Sequence, residues 1–112
     1  MNDSTISIAI ITLNEENNIQ RCLKSVKWAD EIVIADSGSK DATVAIAREF
    51  GAFLYEIDFQ NFSQAKQEAI NRCTSEWVLI LDADEEVSVS LQNKIRSLLS
   101  EPQAADGYKI KR

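Results

Sequence analysis

Apolar residues follow two alternating rhythms along the chain. Ile6 to Ile11 is an apolar run rich in β-branched residues, and Glu31–Ala35, Ala52–Ile57 and Trp77–Leu81 are short runs of the same kind. Runs of this length read as strands, and the unbroken ones as strands buried on both faces. Between them the apolar positions recur at helical spacing. The four sets are Ile19, Cys22, Leu23 and Val26; Ala42, Ile46 and Phe50; Phe62, Ala65, Ala69 and Cys73; and Leu91, Ile95, Leu98 and Leu99. Gly51 is a natural stop for the second helix, the fourth ends before Pro102, and a fifth strand begins near Gly107.

The order βαβαβαβαβ predicts an α/β fold: a mainly parallel sheet with right-handed crossovers and helices on both faces. There is no internal repeat, low-complexity tract or linker, so one domain is expected. Open sheets of this type bind ligands at the carboxyl ends of their strands. Three of those ends carry polar residues: Thr12 and Asn14, then Asp36, then Asp82 and Asp84. The predicted topology brings all of them to one edge.

The fourth strand runs into Asp82-Ala83-Asp84-Glu85-Glu86. Crowded carboxylates repel one another and are costly to bury unpaired. A divalent cation resolves the conflict, because Mg²⁺ and Mn²⁺ favour oxygen ligands and bridge carboxylates to phosphate. Asp84 is the preferred metal ligand; Asp82 is placed on the metal, on ribose hydroxyls, or on both. The competing reading has these acids opening the next helix, where they suit the positive end of its dipole. A cap needs a single acid, so that role is assigned to Glu85 and Glu86.

Asp36 has two readings of equal weight. It can accept a hydrogen bond from a nucleobase N–H, such as uracil N3–H, or form an Asx-turn onto Ser37-Gly38-Ser39. Asp41 is expected to cap the second helix rather than bind a ligand. Lys66 lies one position from the apolar stripe of the third helix, where it can reach a diphosphate as a point charge, although an exposed lysine is the commoner outcome. Trp28, Trp77 and Phe62 are expected in the core.

Composition narrows the chemistry. The 112 residues are 45% hydrophobic and 27% charged, with a net charge of -6 and no basic block, which argues against a nucleic-acid partner. There is no histidine, so Cys/His zinc sites and Ser-His or Cys-His catalysis drop out. Cys22 and Cys73 fall on apolar helix faces and are expected as buried free thiols in a reducing compartment. No stretch approaches the ~20 apolar residues of a membrane helix. The N-terminus has no positive region, so a signal peptide is not indicated.

Taken together, Ile8-Ala9-Ile10-Ile11-Thr12-Leu13-Asn14-Glu15-Glu16, Ile34-Ala35-Asp36-Ser37-Gly38-Ser39-Lys40-Asp41-Ala42-Thr43, Phe62-Ser63-Gln64-Ala65-Lys66-Gln67 and Trp77-Val78-Leu79-Ile80-Leu81-Asp82-Ala83-Asp84-Glu85 resemble family 2 glycosyltransferases of GT-A, Rossmann-like fold. The nearest branch looks like bacterial lipopolysaccharide core β-glucosyltransferases. The resemblance implies that Asp82-Ala83-Asp84 is a DxD motif whose acids bind ribose and metal. It places Thr12, Asn14 or Glu15, and Asp36 around the nucleoside, and Lys66 near the nucleotide. Ser37 stands where many relatives carry a second acid, so a base contact from that acid is lost. Leu13 replaces a frequent Tyr, and Gln67 a frequent Asn.

The implied activity is inverting transfer of a sugar from a nucleoside diphosphate sugar, UDP-linked, to a glycan or lipid-linked acceptor in cell-envelope polysaccharide synthesis. The implied location is cytoplasmic, with peripheral membrane association through the part not present. Residues 1–112 would form the nucleotide-sugar part of a truncated GT-A domain, with the acceptor half and its general base expected beyond Arg112. Two rivals remain. One is a haloacid-dehalogenase-like phosphatase with Asp82 as nucleophile, although Glu86 stands where that signature wants Thr or Val. The other is a non-catalytic nucleotide-binding or interaction domain.

Overall fold

A computed structural model describes residues 4–58, 62–100 and 110–111, apart from the side chains of 62, 110 and 111. Expectations resting on the Phe62 side chain, Pro102 and Gly107 fall outside the described residues. The elements run β1 (Ile6–Thr12), α1 (Ile19–Lys24), β2 (Glu31–Asp36), α2 (Thr43–Glu49), β3 (Phe53–Glu56), α3 (Phe62–Asn71), β4 (Trp77–Asp82), α4 (Val89–Leu99) and β5 (Ile110–Lys111). The sheet order is β3-β2-β1-β4-β5. β1 through β4 are mutually parallel, and β5 runs antiparallel to β4. The α/β architecture and the mainly parallel sheet are as expected. The last strand departs from the crossover pattern.

Alternate residues of the central strands feed two cores, as a period of two requires. On one face Ile8, Ile10, Ile34 and Leu81 meet Ile19, Cys22, Leu23 and Val26 from α1 and the turn after it, together with Ala47 of α2. Ile6 and Trp77 extend this face to Ile95 and Leu99 of α4. On the other face Ala9, Val33, Ala35 and Val78 meet Ala69 and Cys73 at the end of α3. Both thiols are buried and free, and Trp77 is buried, as expected. Trp28 is half-buried, its indole N–H donating to the Ser25 carbonyl at 2.8 Å.

Helix ends differ from the apolar spacing by a residue or two, which is where hydrophobic periodicity says least. Val26 belongs to the turn beyond α1, and Phe50 is the C-cap of α2 rather than its last turn. Gly51 ends α2 at φ +77°, its N–H donating to the Arg48 carbonyl at 3.0 Å, a conformation glycine adopts without strain.

Candidate functional site

The parallel register puts Thr12 beside Asp36, and Ile11 beside Asp82. The loops after β1, β2 and β4 therefore leave the sheet along one rim. Thr12, Asp36 and Asp82 lie on it, and Asp84 follows two residues on. β3 ends on the same side, and Lys66 lies in the second turn of α3. Lys66 is half-buried and engaged within the chain.

Asp36 is buried, and its carboxylate is turned onto its own loop. Oδ2 accepts from the N–H groups of Gly38 (3.1 Å) and Ser39 (2.8 Å); Oδ1 accepts from the hydroxyls of Ser39 and Thr12, both at 2.6 Å. Of the two readings, the Asx-turn is seen here, with Asp36 Oδ2 accepting from the backbone of Gly38 and Ser39. Burial works to raise the carboxyl pKa, but the hydrogen bonds from Ser39, Thr12 and Gly38 outweigh it and hold the group below the usual carboxylate value.

The same loops are zipped together further out. The Asn14 N–H donates to Ser39 Oγ at 2.8 Å, and Asn14 Oδ1 accepts from the Lys40 N–H at 2.8 Å. The Glu15 N–H donates to Thr43 Oγ1 at 2.8 Å, and Glu15 Oε1 accepts from the Asn18 amide. The Glu16 N–H donates to Asp41 Oδ2 at 3.1 Å, while Glu16 Oε1 accepts from the Ala42 N–H at 3.0 Å. Asp41 also accepts from the Thr43 N–H at 2.9 Å, which satisfies the start of α2 from one position before its assigned N-cap, Ala42. Asn14, expected beside the nucleoside, thus sits at a positive φ of 55° and uses its side-chain Oδ1 to hold the next loop. Ser39 and Thr43 are the residues the sequence reading passed over. Their only signal was a run of small hydroxyl residues in a turn, which commonly bond nearby backbone.

Ser37 is distinctive. Its Oγ is buried and has no hydrogen-bond partner among the described residues. With Gly38, Glu56, Ile57 and Asp58 it lines a groove of about 440 Å³ between the ends of β2 and β3. A second groove of about 500 Å³ adjoins it through Glu56, Ile57 and Asp58 and continues along α3 to Arg72. Neither groove includes Asp82 or Asp84.

The acidic segment forms a tight turn. The Glu85 N–H donates to the Asp82 carbonyl at 2.9 Å, and Glu85 Oε1 accepts from the Asp82 N–H at 2.8 Å. The helix that follows begins only at Val89, with Ser88 as N-cap accepting from the Leu91 N–H at 3.1 Å and no acid in its first turn. The assignment of Glu85 and Glu86 to the helix start is therefore corrected. Glu85 closes the turn, Glu86 pairs with Arg21 at 3.7 Å, and a serine performs the cap. The reading in which these acids merely cap a helix goes with it.

Asp82 and Asp84 are exposed, and among the described residues neither carboxylate accepts a hydrogen bond or enters an ion pair. Among those residues no three His, Cys, Asp or Glu side chains gather as a metal cage. This donor set does not suit a closed structural site. It suits a hard cation that takes one or two protein carboxylates and completes its shell with phosphate oxygens and water.

Among solved structures the chain aligns with Staphylococcus aureus TarS 1-349 at a TM-score of 0.74 and 20% identity, covering 84% of this chain and 32% of that one. It aligns with Mycobacterium tuberculosis glucosyl-3-phosphoglycerate synthase, in complex with Mn²⁺, UDP and glucosyl-3-phosphoglycerate, at 0.64 and 23%, covering 74% and 36%. These likenesses establish a shared GT-A fold. A lipopolysaccharide core biosynthesis glycosyltransferase of Rhizobium meliloti is 33% identical over 113 residues, 96% of this chain and 42% of the relative. Other curated relatives are matched over 25% and 34% of their length. Residues 7–107 match the family described as Glycosyl transferase family 2. No described helix is long and apolar enough to cross a membrane. The phosphatase alternative falls with this match: the chain belongs to glycosyl transferase family 2.

Proposed function

We propose that residues 1–112 are the donor side of an inverting glycosyltransferase acting in the cytoplasm. The reaction transfers a sugar from a nucleoside diphosphate sugar, UDP-linked, to a hydroxyl of a glycan or lipid-linked acceptor in cell-envelope polysaccharide synthesis. One observation carries the reading: two unpartnered carboxylates, Asp82 and Asp84, stand on a closed turn on the same strand rim as the β1 and β2 loops. The names of the relatives agree with it, one acting in lipopolysaccharide core biosynthesis and one fold neighbour holding Mn²⁺ and UDP.

Asp84 would hold Mg²⁺ or Mn²⁺, and Asp82 would share that ion or bind ribose hydroxyls. Such an ion offsets negative charge on the departing diphosphate. Thr12 and Asp36 act on the ligand indirectly, by fixing the loops that would border the nucleoside. Lys66 would lend positive charge near the diphosphate. None of these residues is assigned as the general base that deprotonates the acceptor.

The test is calorimetric titration of UDP with Mn²⁺ into wild type and Asp84→Asn. Binding is expected for wild type and a loss of about tenfold or more for the variant, the scale of one charged ligand contact. Equal binding by both removes Asp84 from the site.

A further inference from the structure

A turn carrying several like charges has to be held against their repulsion if it is to present two of them at a fixed place. The hydrogen bonds between Asp82 and Glu85 close the turn upon itself but attach it to nothing else. Attachment comes from the end of α1. The Cys22 thiol lies 3.7 Å from the Asp82 carbonyl oxygen and donates to it. Ser25 Oγ accepts from the Val87 N–H at 2.9 Å while donating to the Cys22 carbonyl at 2.7 Å. Cys22, Ala83 and Val87 are buried together in one cluster. Arg21 and Glu86 add an ion pair at 3.7 Å, but both side chains are 55% exposed, so it contributes little.

The Ser25 and Cys22 attachments bracket the turn at residues 87 and 82, and both come from one helix end. Ser25 serves two partners at once because a hydroxyl carries one donor and two acceptor sites. We propose that Ser25, supported by Cys22, is a positioning residue: it fixes where Asp82 and Asp84 stand without touching the ligand. This rests on the donor-binding reading above and adds to it a role for a helix that carries none of the acids.

The experiment compares wild type, Ser25→Ala and Ser25→Thr in two measurements. Amide hydrogen exchange across residues 82–87 reads the tether itself, and UDP titration with and without Mn²⁺ reads its consequence. In Ser25→Ala the Val87 amide is expected to exchange about tenfold faster, and Mn²⁺-supported UDP affinity to fall about fivefold, the scale of one lost hydrogen bond. Metal-free UDP affinity falls less than the Mn²⁺-supported affinity, because only the latter needs Asp84 and the ion, and Ser25→Thr restores both readings. A purely structural role would weaken binding equally with and without metal, and that result overturns the proposal. Unchanged Val87 exchange overturns it too. Wild type that ignores Mn²⁺ overturns the donor reading instead, while the exchange data still decide the tether. Should the alanine variant fail to fold, Ser25→Cys keeps the volume with a weaker acceptor and must show the same ordering.

Discussion

Thr12 and Asp36 occupy the same rung of the sheet, and the Thr12 hydroxyl donates to Asp36 Oδ1 at 2.6 Å with both residues buried. This bond joins the last residues of two neighbouring parallel strands where their loops diverge. Thr12→Val keeps the shape and removes the donor, leaving a buried carboxylate short of one partner. The variant is expected to lose about 2 kcal/mol of stability, as for hydrogen bonds to charged groups. Urea unfolding would measure it, and an unchanged midpoint would show that the bond contributes nothing.

Acid should undo the same network. The folded Asp36 carboxyl sits below its ordinary value of 3.8, so the folded state binds this proton less readily than the unfolded chain does. Its contribution is therefore complete above that value and is lost as pH falls from there through the folded pKa. Urea midpoints measured from pH 7 down to pH 2.5 should fall more steeply for wild type than for Asp36→Asn below pH 4. Parallel curves would remove Asp36 from the acid response.

Asn14 combines a positive φ of 55° with a side-chain bond to the Lys40 N–H. Asn14→Gly loses only the bond, whereas Asn14→Ala loses the bond and pays a left-handed penalty of about 1 kcal/mol. The glycine variant should therefore be the more stable of the two by about that amount. Thermal unfolding of both would check the order, and the reverse order would mean that the loop is not held in this conformation.

The start of α4 offers a separate check. Ser88→Ala should cost about 1 kcal/mol, because its Oγ accepts from the Leu91 N–H. Glu86→Gln should cost less than half of that, because its exposed pair with Arg21 lies outside the helix. Equal losses would restore the acids to the helix start.

Among the described residues, the number and order of the nine elements were legible because strand runs and helical stripes differ in period, and both match the faces seen here. The convergence of Thr12, Asp36 and Asp82 followed from topology, since parallel strands put all their carboxyl ends on one edge. Three things were not legible. The direction of β5 depends on the sheet edge it meets, not on its own residues. The inward turn of the Asp36 carboxylate depends on the hydroxyls of Thr12 and Ser39, one of them far away in sequence. The hold of α1 on the acidic turn links Ser25 to Val87, a pairing that no local pattern encodes.

β1 pairs with β2 on one side and with β4 on the other, so the loops after β1 and β2 and the acidic turn hang from a common spine. A slip of β1 by one position against its neighbours would swap its two faces and misalign both halves of the rim together. The spacing between those halves is thus written into the hydrogen-bond ladder of a single buried strand. Lengthening a loop can alter what either half grips, but only re-registering the centre of the sheet can change how far apart they stand.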